Sequence, residues 1–151
     1  METRYPDYNQ INVIRQRTLD WLYQNGRSIN PTIVDFINAL SQVPGFACEY
    51  IPEDSIFRVY TTEDCNAHMV AIHMEIVNNL NRSFGNYDWY LPGACNFTMN
   101  SYLLPVQGGG IWLPVWEART KSMEQGNATM AFTRAWGDGI FNYLRSQRFI
   151  N

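Results

Sequence analysis

From Thr61 to Arg82 the chain carries one long apolar stripe that any fold must accommodate. Cys65, Met69, Ile72, His73, Ile76, Val77 and Leu80 recur at steps of three and four, the spacing that collects side chains on one face of a helix. Val70 and Met74 widen the arc, while His68, Ala71, Glu75, Asn78 and Arg82 fall opposite. Thr61 with Asp64 three residues later has capping-box spacing and predicts a helix start near Glu63. A helix apolar over so wide an arc has to be largely covered, so it is expected as the element against which a sheet is laid.

Two shorter helices are expected ahead of it. Ile11, Ile14, Leu19 and Leu22 give an amphipathic pattern from Gln10 to Gln24 that stops at Asn25-Gly26. Asn30 is a good cap, Pro31 suits the first helical position, and Ile33, Phe36, Ile37 and Leu40 supply a second stripe ending before Pro44-Gly45. The short connection predicts a helical hairpin. A DNA-reading helix-turn-helix would offer basic or amide groups on the second helix, whereas Asp35, Asn38 and Ser41 stand there.

Phe46 to Ile51 and Ile56 to Thr61 are rich in aromatic and β-branched residues and are separated by Pro52-Glu53-Asp54-Ser55, which predicts a β-hairpin. After the central helix come three further strand candidates, Tyr87 to Leu91, Cys95 to Leu104 and Ile111 to Arg119, the last two joined through Gln107-Gly108-Gly109-Gly110. A helical pattern returns after Met123. Asp138 is expected to cap a final helix from Ile140 to about Gln147. The resulting fold class is α+β: a single domain over residues 1–151, with an N-terminal helical pair, about five mostly antiparallel strands packed on a central helix, and a C-terminal helix.

Composition narrows the function classes. Net charge is −3, with the acidic residues scattered and no basic run, so nucleic acid is not an expected partner. No run of eighteen apolar residues exists, hence no membrane span is expected. The opening Met-Glu-Thr-Arg-Tyr-Pro-Asp is polar and does not read as a signal peptide; the chain is expected to be cytoplasmic, or secreted with its leader already removed. Ten arginines stand against one lysine, Lys121, yet asparagine occurs fifteen times, so a codon bias toward A and T does not explain the deficit. Drift in a small protein is the plain reading of the lysine depletion; the functional ones are an effector or toxin that avoids lysine modification, or a surface that uses arginine for packed interfaces.

Cys48, Cys65 and Cys95 include no Cys-x-x-Cys, so no metal is expected, and nothing implies a cofactor. If a bridge forms, it joins Cys65 to Cys95 and leaves Cys48 as a buried thiol. Glu63-Asp64-Cys65, Trp89 and Gly93-Ala94-Cys95-Asn96-Phe97 loosely resemble the Asp-Cys, Trp, Cys-x-Phe succession of fungal secreted necrosis-inducing effector domains. The N-terminal helix pair has no counterpart there and the family's later cysteines are missing, so the likeness implies no more than an exported interaction protein.

Candidate site residues are few. His73 lies on the apolar face, where a buried ring must find a partner or do chemistry; a satisfied core histidine is the commoner outcome. His68 and Glu75 share the opposite face two turns apart and would bind a metal only with further ligands. Gly108-Gly109-Gly110 is followed by strand-like sequence rather than by Lys-Ser or Lys-Thr and a helix, so it reads as a hairpin tip and not a phosphate cradle. No nucleophile elbow and no His-Glu-x-x-His occurs.

In Ile111-Trp-Leu-Pro-Val-Trp-Glu-Ala-Arg119, alternation puts Ile111, Leu113 and Val115 on one face and Trp112 and Trp116 on the other. Pro114 cannot donate to a ladder, which places this strand at an edge or breaks it. Trp112, Trp116 and Arg119 are therefore the expected partner-binding anchors, with a plain core role for both tryptophans as the competing reading. The expected function is a non-catalytic interaction protein of the effector, toxin or self-assembling kind, binding a protein partner or itself. The alternative is a small enzyme or ligand-binding domain that uses His73 in a pocket between the central helix and the sheet.

Overall fold

A computed structural model of the protein describes residues 4–84, 98–106, 109–119 and 137–150. In chain order these form α1 (Tyr8–Asn25), a 3₁₀ turn (Gly26–Ser28), α2 (Pro31–Leu40), β1 (Phe46–Ile51), β2 (Ile56–Thr61), α3 (Asn66–Phe84), β3 (Thr98–Val106) and β4 (Gly109–Arg119). A last helix, α4, covers residues 137–146. The strands make one sheet in the order β1-β2-β4-β3, antiparallel at every pair. The architecture is α+β, and among the described residues the sheet has four strands rather than about five. Tyr87 to Leu91 and the helical pattern after Met123 lie outside the described residues.

Helix α1 starts earlier than its apolar pattern because Asp7 supplies a cap. Its Oδ1 accepts from the Gln10 backbone N–H at 2.8 Å, and the Gln10 side chain accepts from the Asp7 N–H at 2.9 Å, closing a capping box. Asn30 caps α2 in the expected way, accepting from Thr32 N–H at 2.8 Å with Pro31 at the first helical position. Ile33, Phe36, Ile37 and Leu40 are all buried.

The two helices follow one another across the short 3₁₀ turn, and each meets the sheet at β1. Helix α1 runs along this edge strand: Ile11 and Ile14 join a small cluster with Ala47, Tyr60 and Val115, whereas Leu22 joins the main core. Arg15 Nη2 donates to the carbonyls of Val43 at 2.8 Å and Phe46 at 2.7 Å, fastening the helix at the start of β1.

The main core lies on the opposite face of the sheet. Phe46, Cys48, Phe57, Val59, Trp116 and Ala118 from the strands meet Phe36 of α2, Met69, Ile72 and Ile76 of α3, and Ile140 and Leu144 of α4. Gly139 sets the α3–α4 approach, because a Cβ there would come within 2.9 Å of the Ile76 Cα. Asp138 sits inside the helix rather than capping it, because α4 already includes residue 137. Helix α4 ends with Arg148 at φ 62° and Phe149 N–H donating to Leu144 O at 2.9 Å, the bond pattern of a left-handed C-terminal cap.

Helix α3 begins three residues later than the capping-box spacing predicts. Thr61 is held in β2 opposite Phe46, so it is not free to cap, and residues 63–65 turn through i→i+3 bonds such as Asn66 N–H to Glu63 O at 3.3 Å. The Asp64 carboxylate is used locally instead, accepting from Thr62 Oγ1 at 2.6 Å and from Tyr8 Oη at 2.8 Å, and these bonds hold it below the usual carboxylate range. Met69, Ile72, His73, Ile76, Val77 and Leu80 are buried as the stripe requires, whereas Val70 and Met74 remain exposed. His68 departs from its expected solvent face: Nδ1 is 2.5 Å from Tyr143 Oη, and the ring meets Phe149 edge-on.

Strand β4 is central, not an edge: its first part pairs with β3, Ala118 and Arg119 pair with β2, and Trp116 and Glu117 pair with both. The last β2 pair is Val59 with Trp116, so Pro114 lies where β4 is paired on the β3 side only, a position that tolerates a residue without an N–H.

Candidate binding site

Beyond the small cluster, α1 and the β1–β2 hairpin part to leave an open cavity of about 330 Å³. Arg17, Thr18 and Trp21 of α1 form one wall; Glu49, Tyr50 and Ile51 of β1, Pro52 and Glu53 of the turn, and Arg58 of β2 form the rest. The helix spacing explains the first wall, since residues 17, 18 and 21 share a face at steps of three and four. Register explains the second, because Glu49, Arg58 and Glu117 stand directly opposite one another on three adjacent strands.

This alternation of charge is tied together. Arg58 Nη1 lies 3.3 Å from Glu49 Oε1 and Arg58 Nε lies 3.3 Å from Glu117 Oε1, the second contact being an ion pair without hydrogen-bond alignment. Burial opposes the charge on Arg58, but Tyr60, Glu117 and Glu49 outweigh it and raise its pKa above the ordinary arginine value. Tyr60 Oη also donates to Glu49 Oε1 at 3.0 Å. Both described bonds to Glu49, a residue of the cavity lining, land on Oε1, so Oε2 retains acceptor capacity. Trp21 is half-buried, packed by one side against the main core, and its indole makes no ring stack or hydrogen bond among the described residues. Arg17 and Glu53 are exposed at the rim.

The residues singled out by sequence are distributed elsewhere. His73 is 7% exposed on α3 with its ring edge-on to Trp116, centroids 5.6 Å apart, and burial lowers its pKa. Trp116 belongs to the main core, and its indole N–H donates to Asn66 Oδ1 at 3.0 Å. It is therefore packed between α3 and the sheet rather than offered to a partner. Trp112 pairs across the β3–β4 ladder with Leu103, and Arg119 with Ile56 of β2. His73 and Trp116 are thus brought together, but neither lines the cavity at α1.

Cys48 is a fully buried thiol, and burial pushes its pKa far up despite the nearby charge of Arg15. Cys65 is a free, half-buried thiol 3.5 Å from the Pro44 carbonyl; Cys95, its expected partner, lies outside the described residues. Among the described residues no three His, Cys, Asp or Glu side chains converge as a metal site, and no helix is long and apolar enough to cross a membrane.

No protein-family model matches the chain, no curated protein matches it, and no solved structure matches it. The functional reading therefore rests on geometry.

Sequence reasoning missed the cavity residues. Trp21 stands next to Leu22 within an ordinary helical stripe, and Glu49 and Arg58 alternate with core residues as any exposed strand positions do. The one available signal was the pairing of Glu49 with Arg58 across the hairpin, which follows from the correctly placed strands.

Proposed function

We propose that this protein is a non-catalytic interaction protein and that its partner, another protein or a second copy of the chain, docks over the cavity between α1 and the β1–β2 hairpin. The observation that carries this reading is the cavity wall itself. A half-buried indole at Trp21 stands across from a strand-borne carboxylate and guanidinium whose positions are locked by cross-strand pairing. A rigid aromatic anchor site ringed by polar groups is what partner recognition uses. In the lining the Glu49 carboxylate is held by Arg58 and Tyr60, which supports a positioning role for it in a binding wall.

The test compares wild type with Trp21→Ala and Glu53→Gln, each first shown folded by near-UV circular dichroism. Sedimentation velocity reads self-association, and affinity capture from the source cells followed by quantitative mass spectrometry reads other partners. The expected result is one species, self or foreign, whose recovery falls at least about tenfold with Trp21→Ala. If no association depends on Trp21, or if a turnover activity is found that His73→Gln abolishes in a folded protein, the reading is wrong.

A further inference from the structure

The residues that line the cavity carry two charges of each sign, Arg17 and Arg58 against Glu49 and Glu53, and Arg58 is paired with Glu49 of the lining and with Glu117 outside it. An anionic ligand would meet two carboxylates and a cationic one would meet Arg17, so the site favours a ligand without net charge. Yet charged groups of both signs remain available as hydrogen-bonding groups. Arg17 presents only donors, Glu53 only acceptors, Glu49 Oε2 accepts, and Thr18 both donates and accepts. Beside them lies the apolar surface of Trp21 with Pro52 and Ile51.

A neutral molecule that needs donors and acceptors around its rim and an apolar plane beneath it is a pyranose sugar, whose hydroxyls are both donor and acceptor and whose axial C–H groups make one apolar face. We infer that the cavity between α1 and the β1–β2 hairpin is a binding site for a neutral hexopyranose, with Trp21 as the stacking platform and Arg17, Glu49 and Glu53 as hydroxyl partners. A cavity of about 330 Å³ is at the small end of ligand pockets and suits one or two sugar rings, with the open side leaving room for the rest of a glycan. The inference rests on the binding role proposed for this cavity and names what a partner would present there.

The test is saturation-transfer difference NMR on the intact chain with the methyl glycosides of glucose, galactose and mannose, N-acetylglucosamine, and maltose and cellobiose. Benzoate and benzylammonium serve as charged aromatic probes. The expected result is transfer to the ring C–H protons of at least one sugar, weakened about tenfold or more by Trp21→Ala and about three- to tenfold by Arg17→Ala or Glu53→Gln. Both rim residues are exposed, so these two variants remain informative if Trp21→Ala unfolds. The inference is overturned if no sugar gives a signal sensitive to Arg17 or Glu53, or if a charged probe binds there in preference. A partner that depends on Trp21 together with a failed sugar screen would remove the sugar inference alone, whereas loss of both would remove the binding site itself.

Discussion

On one face of the sheet Phe36 of α2 packs between Phe57 and Phe141, with ring centroids 6.2 and 5.6 Å away, in a layer shared with α3 and α4; on the other, among the described residues, Ile11 and Ile14 cover Ala47, Tyr60 and Val115 before the helix parts from the hairpin. The first face is held by apolar burial and close backbone approach, as at Gly139 over Ile76. The second is held by a few side chains and by polar ties: Arg15 to two carbonyls, Tyr8 to Asp64, and Arg58 between two carboxylates. Stability should therefore reside on the first face, and the second can leave a cavity open because little folding energy depends on filling it.

The largest expected effect is on the thick face. Phe36→Ala removes a ring with no solvent exposure and should cost about 3–5 kcal/mol in urea unfolding. Ile14→Ala should cost less, about 2 kcal/mol, because it removes fewer atoms than Phe36→Ala from a smaller cluster. Equal costs for the two would break the contrast between the faces.

Gly45 lies where the two halves meet, at φ 86°, with its carbonyl accepting from Thr62 N–H at 3.0 Å. A Cβ there would stand 2.5 Å from Cys65 Sγ, so Gly45→Ala should cost roughly 2 kcal/mol from backbone strain, before the thiol has moved aside. A thermal melt unchanged by this substitution would show that the junction yields more easily than its geometry implies.

The smallest effect is a pH slope. Burial depresses the folded-state pKa of His73 below its ordinary 6.5, so the unfolded chain binds the proton more tightly. Its contribution to stability is fully present above pH 6.5 and is lost as pH falls from there toward the folded-state pKa. His73→Gln should flatten the stability profile just below that pH by at most one proton's worth, about 1.4 kcal/mol per pH unit. An unchanged slope would place the acid sensitivity elsewhere, including on the thin face.

Local signals carried far. Asn30-Pro31, the β1–β2 hairpin bounds and the apolar residues of α3 were legible because caps, turns and periodicity are short-range properties. They failed where a distant contact outcompeted them. Thr61 has the spacing of a cap but is claimed by its ladder with Phe46, and Pro114 has the chemistry of an edge residue but sits in a central strand just beyond its last pair with β2. His68 points by period to solvent but is covered by Tyr143 and Phe149 returning from the far end of the chain.

The candidate site lay further out of reach. Trp112, Trp116 and Arg119 attract attention in sequence, yet Trp116 is buried against Asn66 and His73, and the cavity is built from Trp21, Glu49 and Arg58, which no motif marks. By itself the sequence determined the α+β class, the helix and strand segments named above and which side of each is apolar, since these follow from propensity and spacing within a few residues. Only the tertiary structure decided which aromatic is core and which lines an opening, because that depends on where α1 leaves the edge of the sheet, a matter of packing between segments some thirty residues apart.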